Sequence, residues 1–275
     1  LADAPSGCWL DGPAIEAPPS GKLPLLCYSH GFGGNMDMAT YMLRELSSHG
    51  VVVCALEHTD GTASHTRLAD GADLSFSPGT LSGDAQLKRR AAELLAAADL
   101  AGGAATSFGA DVARLVDPTA VFLGGHSYGG PSALLASAGD ASERLGLAGL
   151  LLHDPALGMS SGLDAAIYGR ARDPLPCLSY VSDEYDSAMD WSGSLGGTTL
   201  HTVGGFHGNF VDAPLWAPPW VMRPLSAVIP AAGPCDPMAM HAALGVTGAA
   251  FMRARFRAVR APRRRRRGWP WHGLG

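Results

Sequence analysis

The sequence predicts an α/β fold with a mostly parallel central sheet flanked by helices. Three observations carry this reading. Short apolar runs alternate with segments of helical spacing along most of the chain. Two of the runs, residues 51–56 and 147–152, contain no polar residue, as strands buried on both faces do. A third run, residues 121–124, enters Gly125-His126-Ser127-Tyr128-Gly129-Gly130, and a helix-compatible segment over 131–138 leaves it. That last arrangement is the sequence form of a sharp strand-to-helix turn that lifts a serine hydroxyl above a sheet.

The elements follow in order. Residues 1–20, rich in Pro, Ala and Gly, read as an irregular lead-in. Residues 23–29 make a short strand that ends in His30-Gly31-Phe32-Gly33-Gly34. Met38, Tyr41, Met42 and Leu46 then form one helical apolar stripe, which Gly50 stops in the C′ manner. With the strand over 51–56 this implies a right-handed parallel crossover. No periodicity persists over 58–83, and a loop of that length often serves a site. Asp84 is the expected N-cap of a helix over 84–100, closed by Gly102-Gly103. Further strands are expected over 176–181 and 198–203, and a closing helix over 238–259. One domain over 1–260 accounts for these elements. The Arg-rich end, 261–275, has no core-forming pattern and is expected to be disordered.

Composition narrows the function classes. At 275 residues, with 47% apolar and 16% charged side chains, the chain can bury a sizeable core. No apolar run reaches the length of a membrane span. The last 25 residues hold nine arginines and no acid, so residues 1–250 carry 11 basic against 25 acidic side chains, a net −14. An acidic body of this kind does not describe a nucleic-acid-binding fold. Cys8, Cys27, Cys54, Cys177 and Cys235 form no Cys-x-x-Cys pair, so no metal site and no cofactor are expected.

The chemistry is sought at the carboxyl ends of the strands. Ser127 is the candidate nucleophile; a serine hydroxyl attacks at neutral pH only when a base takes its proton. A second Gly-x-Ser-x-Gly match, at Gly158-Met159-Ser160-Ser161-Gly162, has no β-branched or aromatic run directly before it. Of the histidines beyond Ser127, His201 lies inside a strand, His241 in the closing helix and His272 in the tail. His207 alone sits in a Gly-flanked loop just past a strand, where an imidazole can reach the turn. Asp154 and Asp183, with Asp186 close behind, each end a strand, and local sequence leaves Asp154 and Asp183 even as the acid that orients His207. The backbone N–H groups of Phe32 and Tyr128 are the expected oxyanion donors. The same early glycines do not make a phosphate cradle, because no Lys-Ser/Thr follows them.

Taken together, the motifs resemble the platelet-activating factor acetylhydrolase family, serine-dependent lipases of the α/β-hydrolase fold. The resemblance rests on Tyr28-Ser29-His30-Gly31-Phe32-Gly33, on Ser48-His49-Gly50-Val51-Val52-Val53 followed by Leu56-Glu57-His58, and on the turn around Ser127. It continues through Leu152-His153-Asp154, through residues 205–212 and into Gly233-Pro234-Cys235-Asp236. It implies a triad of Ser127, Asp154 and His207, which favours Asp154 over Asp183, and oxyanion donors at Phe32 and Tyr128. The implied activity is calcium-independent hydrolysis of a short or oxidised sn-2 acyl ester of a phospholipid. Two departures stand out. Pro155-Ala156-Leu157-Gly158 follows the acid where the family usually carries a tryptophan, and Tyr128 replaces a phenylalanine. The competing readings are a general carboxylesterase or polyester hydrolase with the same triad, and a non-catalytic binding module on the same fold. Leu215-Trp216, Pro219-Trp220 and the arginine tail are the segments that could touch a lipid surface.

Overall fold

The computed structural model describes residue 16 and residues 21–102, 110–138, 144–158, 162–172, 175–185, 195–216, 220–221, 224 and 232–261. Most of the lead-in and nearly all of the Arg-rich tail lie outside these residues, as do Ser160 and Asp186. The central sheet has six strands in the order β2-β1-β5-β6-β7-β8, and every neighbouring pair in it is parallel. The strands are β1 (Leu23–Ser29), β2 (Val52–Leu56), β5 (Val116–His126), β6 (Leu147–His153), β7 (Cys177–Ser182) and β8 (Thr198–Thr202). Strands β3 (His65–Arg67) and β4 (Asp73–Ser75) form a separate antiparallel hairpin inside the long stretch that shows no periodicity. They are only three residues each, too short for alternation to register. The α/β-hydrolase architecture expected from the sequence is the one observed.

Alternation along each strand splits the core into two layers. Leu25, Cys27, Val121, Leu123, Leu150 and Leu152 face helices α2 (Gly83–Gly102) and α3 (Gly129–Ala136), with Leu87, Leu94 and Leu134 between them. Leu26, Tyr28, Phe122, Leu151 and Leu178 face the other way, onto Met42 and Leu46 of α1 (Thr40–Ser48) and onto Leu244 and Met252 of the closing helix Pro237–Arg260. Both faces are thus covered, which is why these strands read as unbroken apolar runs. The expected stripe on α1 is confirmed at Met42 and Leu46. At α2 the capping differs from expectation. Ser82 Oγ accepts from Ala85 N at 3.4 Å, while Asp84 sits inside the first turn and its Oδ1 accepts from Gly162 N at 3.3 Å. Asp236 caps the closing helix, accepting from Ala239 N at 2.9 Å, with Pro237 in the first turn.

Helix α3 begins three residues after β5, so the chain must reverse within Ser127 and Tyr128. Close packing enforces the two flanking glycines. A Cβ on Gly125 would lie 2.4 Å from the carbonyl carbon of Gly129, and one on Gly129 would lie 2.1 Å from the Ser29 carbonyl oxygen. Ser127 takes φ 54° and Asp154 takes φ 41°, the two positive-φ residues other than glycine among those described. Such backbone costs of order 1–3 kcal/mol per residue and persists only where its surroundings fix it. Here they do: Ser127 N donates to His153 O at 3.0 Å, and Ala156 N donates to Ser127 O at 2.9 Å.

The interior also holds polar rings. His58, His126, His153 and His241 are buried. Burial lowers the pKa of all four below the usual histidine value, that of His153 to about 3, so each is neutral in the native protein. His153 Nδ1 shares a hydrogen bond with the Tyr28 hydroxyl at 2.9 Å, and the ring stacks on Tyr180 with ring centroids 5.0 Å apart.

Two outcomes follow from this packing. Gly125→Ala forces main chain against main chain and should cost at least the 1–3 kcal/mol typical of overpacking, read by urea unfolding; an unchanged midpoint would contradict the tight turn. Below pH 6.5 the four histidines bind protons in the unfolded chain but not in the native one, so stability falls as pH drops. The slope approaches about 1.4 kcal/mol per pH unit for each proton. Burial works in the opposite sense on two carboxyls, raising the pKa of Glu93 and pushing that of Asp212 up to about 6, and these two offset part of the loss below there. The melting temperature should therefore decline from pH 7 to pH 5, and one that holds or rises would contradict four neutral rings.

Candidate active site

The carboxyl ends of β5, β6, β7 and β8 deliver Ser127, Asp154, Asp183 and His207 to one edge of the sheet. Asp154 follows β6 directly and is fully buried. Its Oδ1 accepts from Ser182 N at 2.7 Å, and its Oδ2 accepts from Ser182 Oγ at 2.6 Å. The same Oδ2 lies 3.1 Å from His207 Nδ1. A carboxylate can only accept here, so Nδ1 carries the proton, and in the neutral ring Nε2 keeps its lone pair.

His207 opens a 3-10 turn, His207–Phe210, just past β8, and is gripped from several sides. Its backbone N–H donates to Glu184 Oε2 at 2.8 Å, and its carbonyl accepts from His126 Nε2 at 3.2 Å. The Tyr185 ring stacks flat on the imidazole, 3° from parallel with centroids 4.2 Å apart, and the His126 ring stands 4.5 Å away. The Ser127 side chain is near enough to Tyr185 to temper the rise in its phenol pKa that burial brings. Burial first, then the charge of Asp154, pushes the Tyr185 pKa up to about 12, so it stays a protonated phenol.

Asp183, the acid that local sequence weighed equally, is engaged elsewhere. Its Oδ2 accepts from Gly204 N at 2.6 Å, and its Oδ1 faces His201 Nδ1 at 3.3 Å. It supports the turn leading to His207 and leaves the imidazole to Asp154. His241 is buried in the closing helix, where Nε2 donates to Asn209 O at 2.8 Å. His272 lies outside the described residues.

The glycine loop after β1 comes up against the turn. A Cβ on Gly31 would sit 3.0 Å from Ser127 Cβ. The rings of Phe32 and Tyr128, whose N–H groups are the expected oxyanion donors, meet edge-on with centroids 5.8 Å apart. Neither of those N–H groups donates to backbone elsewhere in the described chain. The Tyr128 hydroxyl sits between Gly83 O at 3.2 Å and Gln86 Oε1 at 3.1 Å, which accommodates the departure from phenylalanine. Sequence reading missed Tyr185, Ser182 and Glu184 as parts of this site. The available signal was their position: Ser182-Asp183-Glu184-Tyr185 crosses the carboxyl end of β7, beside two other reactive strand ends.

Trp216, six residues beyond the 207–210 turn, is 58% exposed, and Trp220 is 76% exposed. No helix of the described residues is long and apolar enough to cross a membrane.

Comparison with known proteins supports the resemblance read from the motifs. A family model described as platelet-activating factor acetylhydrolase, isoform II, matches residues 12–77. The platelet-activating factor acetylhydrolase of Canis lupus familiaris is 31% identical over 180 residues, 56% of this chain and 39% of that protein. That of Bos taurus is 44% identical over 45 residues, 16% of this chain and 10% of its own length. A putative phospholipase A2 of Schizosaccharomyces pombe is 36% identical over 52 residues, covering 19% and 12%. The chain thus spans less than half the length of the curated relatives it matches. Among solved structures, a ferulic acid esterase from Streptomyces cinnamoneus superposes with a TM-score of 0.65 at 21% identity, covering 86% of this chain and 68% of that one. Its likeness is one of fold. The chain is similar to the platelet-activating factor acetylhydrolase family, most densely around β1, the glycine loop and β2, and carries that likeness on an α/β-hydrolase fold.

Proposed function

We propose that this chain hydrolyses carboxylic esters through an acyl intermediate on Ser127, and that its substrate is a phospholipid with an acetyl or other short or oxidised acyl group at sn-2. The observation that carries the reading is the 3.1 Å approach of His207 Nδ1 to Asp154 Oδ2, at the strand ends beside which Ser127 stands. His207 Nε2 takes the proton as Ser127 Oγ attacks the ester carbonyl. Asp154, held by Ser182, keeps the ring in the tautomer that can accept and stabilises the imidazolium. Negative charge on the carbonyl oxygen is met by the N–H groups of Phe32 and Tyr128. Collapse expels the lysophospholipid alkoxide, which leaves with the proton from His207. A water then repeats the sequence on the acyl-enzyme and frees the acid and Ser127.

The substrate class comes from the family likeness. The exposed Trp216 and Trp220, which offer amphipathic rings to an interface, support peripheral contact with lipid. A general carboxylesterase with the same triad, or a fold used only for binding, are the alternatives that the assays separate.

Ser127→Ala should abolish turnover of a short sn-2 acyl phospholipid. Asp154→Asn should lower kcat by about 10⁴, as loss of the orienting carboxylate does in serine hydrolases, whereas Asp183→Asn should stay within about tenfold of wild type because its contacts lie on the supporting turn. Equal losses in the two aspartate variants would overturn the assignment of the acid. A wild-type chain that cleaves a nitrophenyl ester but spares the phospholipid would point to the general esterase, and one that cleaves neither would leave a binding module.

A further inference from the structure

Ester hydrolysis asks for no cation in the protein interior, yet Arg90 on α2 is fully buried. Its Nε donates to the buried Asp60 Oδ2 at 2.7 Å and its Nη2 to Thr62 Oγ1 at 2.6 Å. Its Nη1 donates to the His30 carbonyl at 2.6 Å and lies 3.3 Å from Ser29 Oγ. The guanidinium carbon also stands 5.1 Å from the centre of the Tyr128 ring. Burial lowers the Arg90 pKa while Asp60 opposes the shift. A buried pair of this kind rarely adds net stability over an apolar replacement. What it supplies is geometry, and here the geometry is all directed at one place.

The place is the glycine loop. His30 Nδ1 donates to the Gly31 carbonyl at 2.7 Å. Because the peptide is planar and trans, fixing that carbonyl fixes the opposite direction of the Phe32 N–H in the same peptide. His30 Nε2 lies 2.9 Å from Glu57 Oε1, too poorly aligned for a hydrogen bond, and Glu57 Oε2 accepts from Met36 N at 3.1 Å. Gly33 N donates to Thr62 O at 2.8 Å, and Ser64 N donates to Gly34 O at 2.7 Å. Arg90 thus ties β1, the 60–62 turn and the Tyr128 ring into one unit around the two expected oxyanion donors. A nearby serine, histidine and carboxylate, Ser29, His58 and Glu93, make successive contacts of 2.8 and 2.6 Å, but Ser29 and His58 are wholly buried and so serve this scaffold.

We propose that Arg90, paired with Asp60, is a positioning residue that holds the Phe32 and Tyr128 N–H groups aimed at the carbonyl oxygen attacked by Ser127. The proposal rests on the esterase reading above. It predicts a loss felt by the transition state and not by substrate binding.

The test uses Arg90→Lys, which keeps the charge but cannot reach Asp60, Thr62 and His30 together, and the double variant Arg90→Met with Asp60→Asn, which leaves no unpaired buried charge. Rates on a short-chain ester are expressed per site titrated with a fluorophosphonate, and affinity for a trifluoromethyl ketone that forms an oxyanion on Ser127 is measured alongside. The expected result is a kcat lower by about 10²–10³ in the double variant, KM within about threefold, and ketone affinity falling in step with kcat/KM. Arg90→Lys should fall between it and wild type. Full kcat per titrated site, a loss confined to KM, or failure of both variants to accumulate folded protein would each overturn the proposal while leaving the esterase reading intact. A wild-type chain with no ester hydrolysis would remove both.

Discussion

The contact between His207 and Asp154 joins loops 53 residues apart in sequence, and the site depends on it. It forms only if β6 and β8 end at the same edge of the sheet with β7 between them in parallel register. Ser182, the last residue of β7, supplies both hydrogen bonds that turn Asp154 toward the imidazole. The sheet is thus part of the chemistry, since a slip of one residue in β7 would point Ser182 to the opposite face.

Strain is confined to the same edge. Ser127 and Asp154 each hold a left-handed backbone, and each is the first residue past a central strand. The carbonyl of His153 accepts from Ser127 N, so the two turns brace one another. Behind them lie neutral histidines packed against other rings, a packing that carries polar groups into the core without carrying charge. Around the end of β1 the support is ionic, through Arg90 and Asp60.

The fold was largely legible in the sequence because the strands are buried on both faces and the helices carry stripes. The turn at Ser127 was legible because its glycines answer to steric contacts no other residue relieves. The hairpin within 58–83 was not, since three-residue strands leave no periodic trace. The acid could not be chosen from local pattern: Asp154 and Asp183 end adjacent strands in similar surroundings, and only the direction of their side chains separates them. Arg90 was hidden for a different reason. Lys88-Arg89-Arg90 reads as a solvated charge run on a helix, and burial of its last member is decided by Asp60, which approaches from a loop 30 residues away.

The central claim is that Ser127 is made nucleophilic by His207. Its most direct measurement is the rate and position of covalent labelling by a fluorophosphonate, read by mass spectrometry of the digested protein. The account predicts a single adduct on the peptide containing Ser127, formed orders of magnitude more slowly when His207 is replaced by Gln. An adduct on another residue, or labelling of Ser127 at an undiminished rate in His207→Gln, would contradict it.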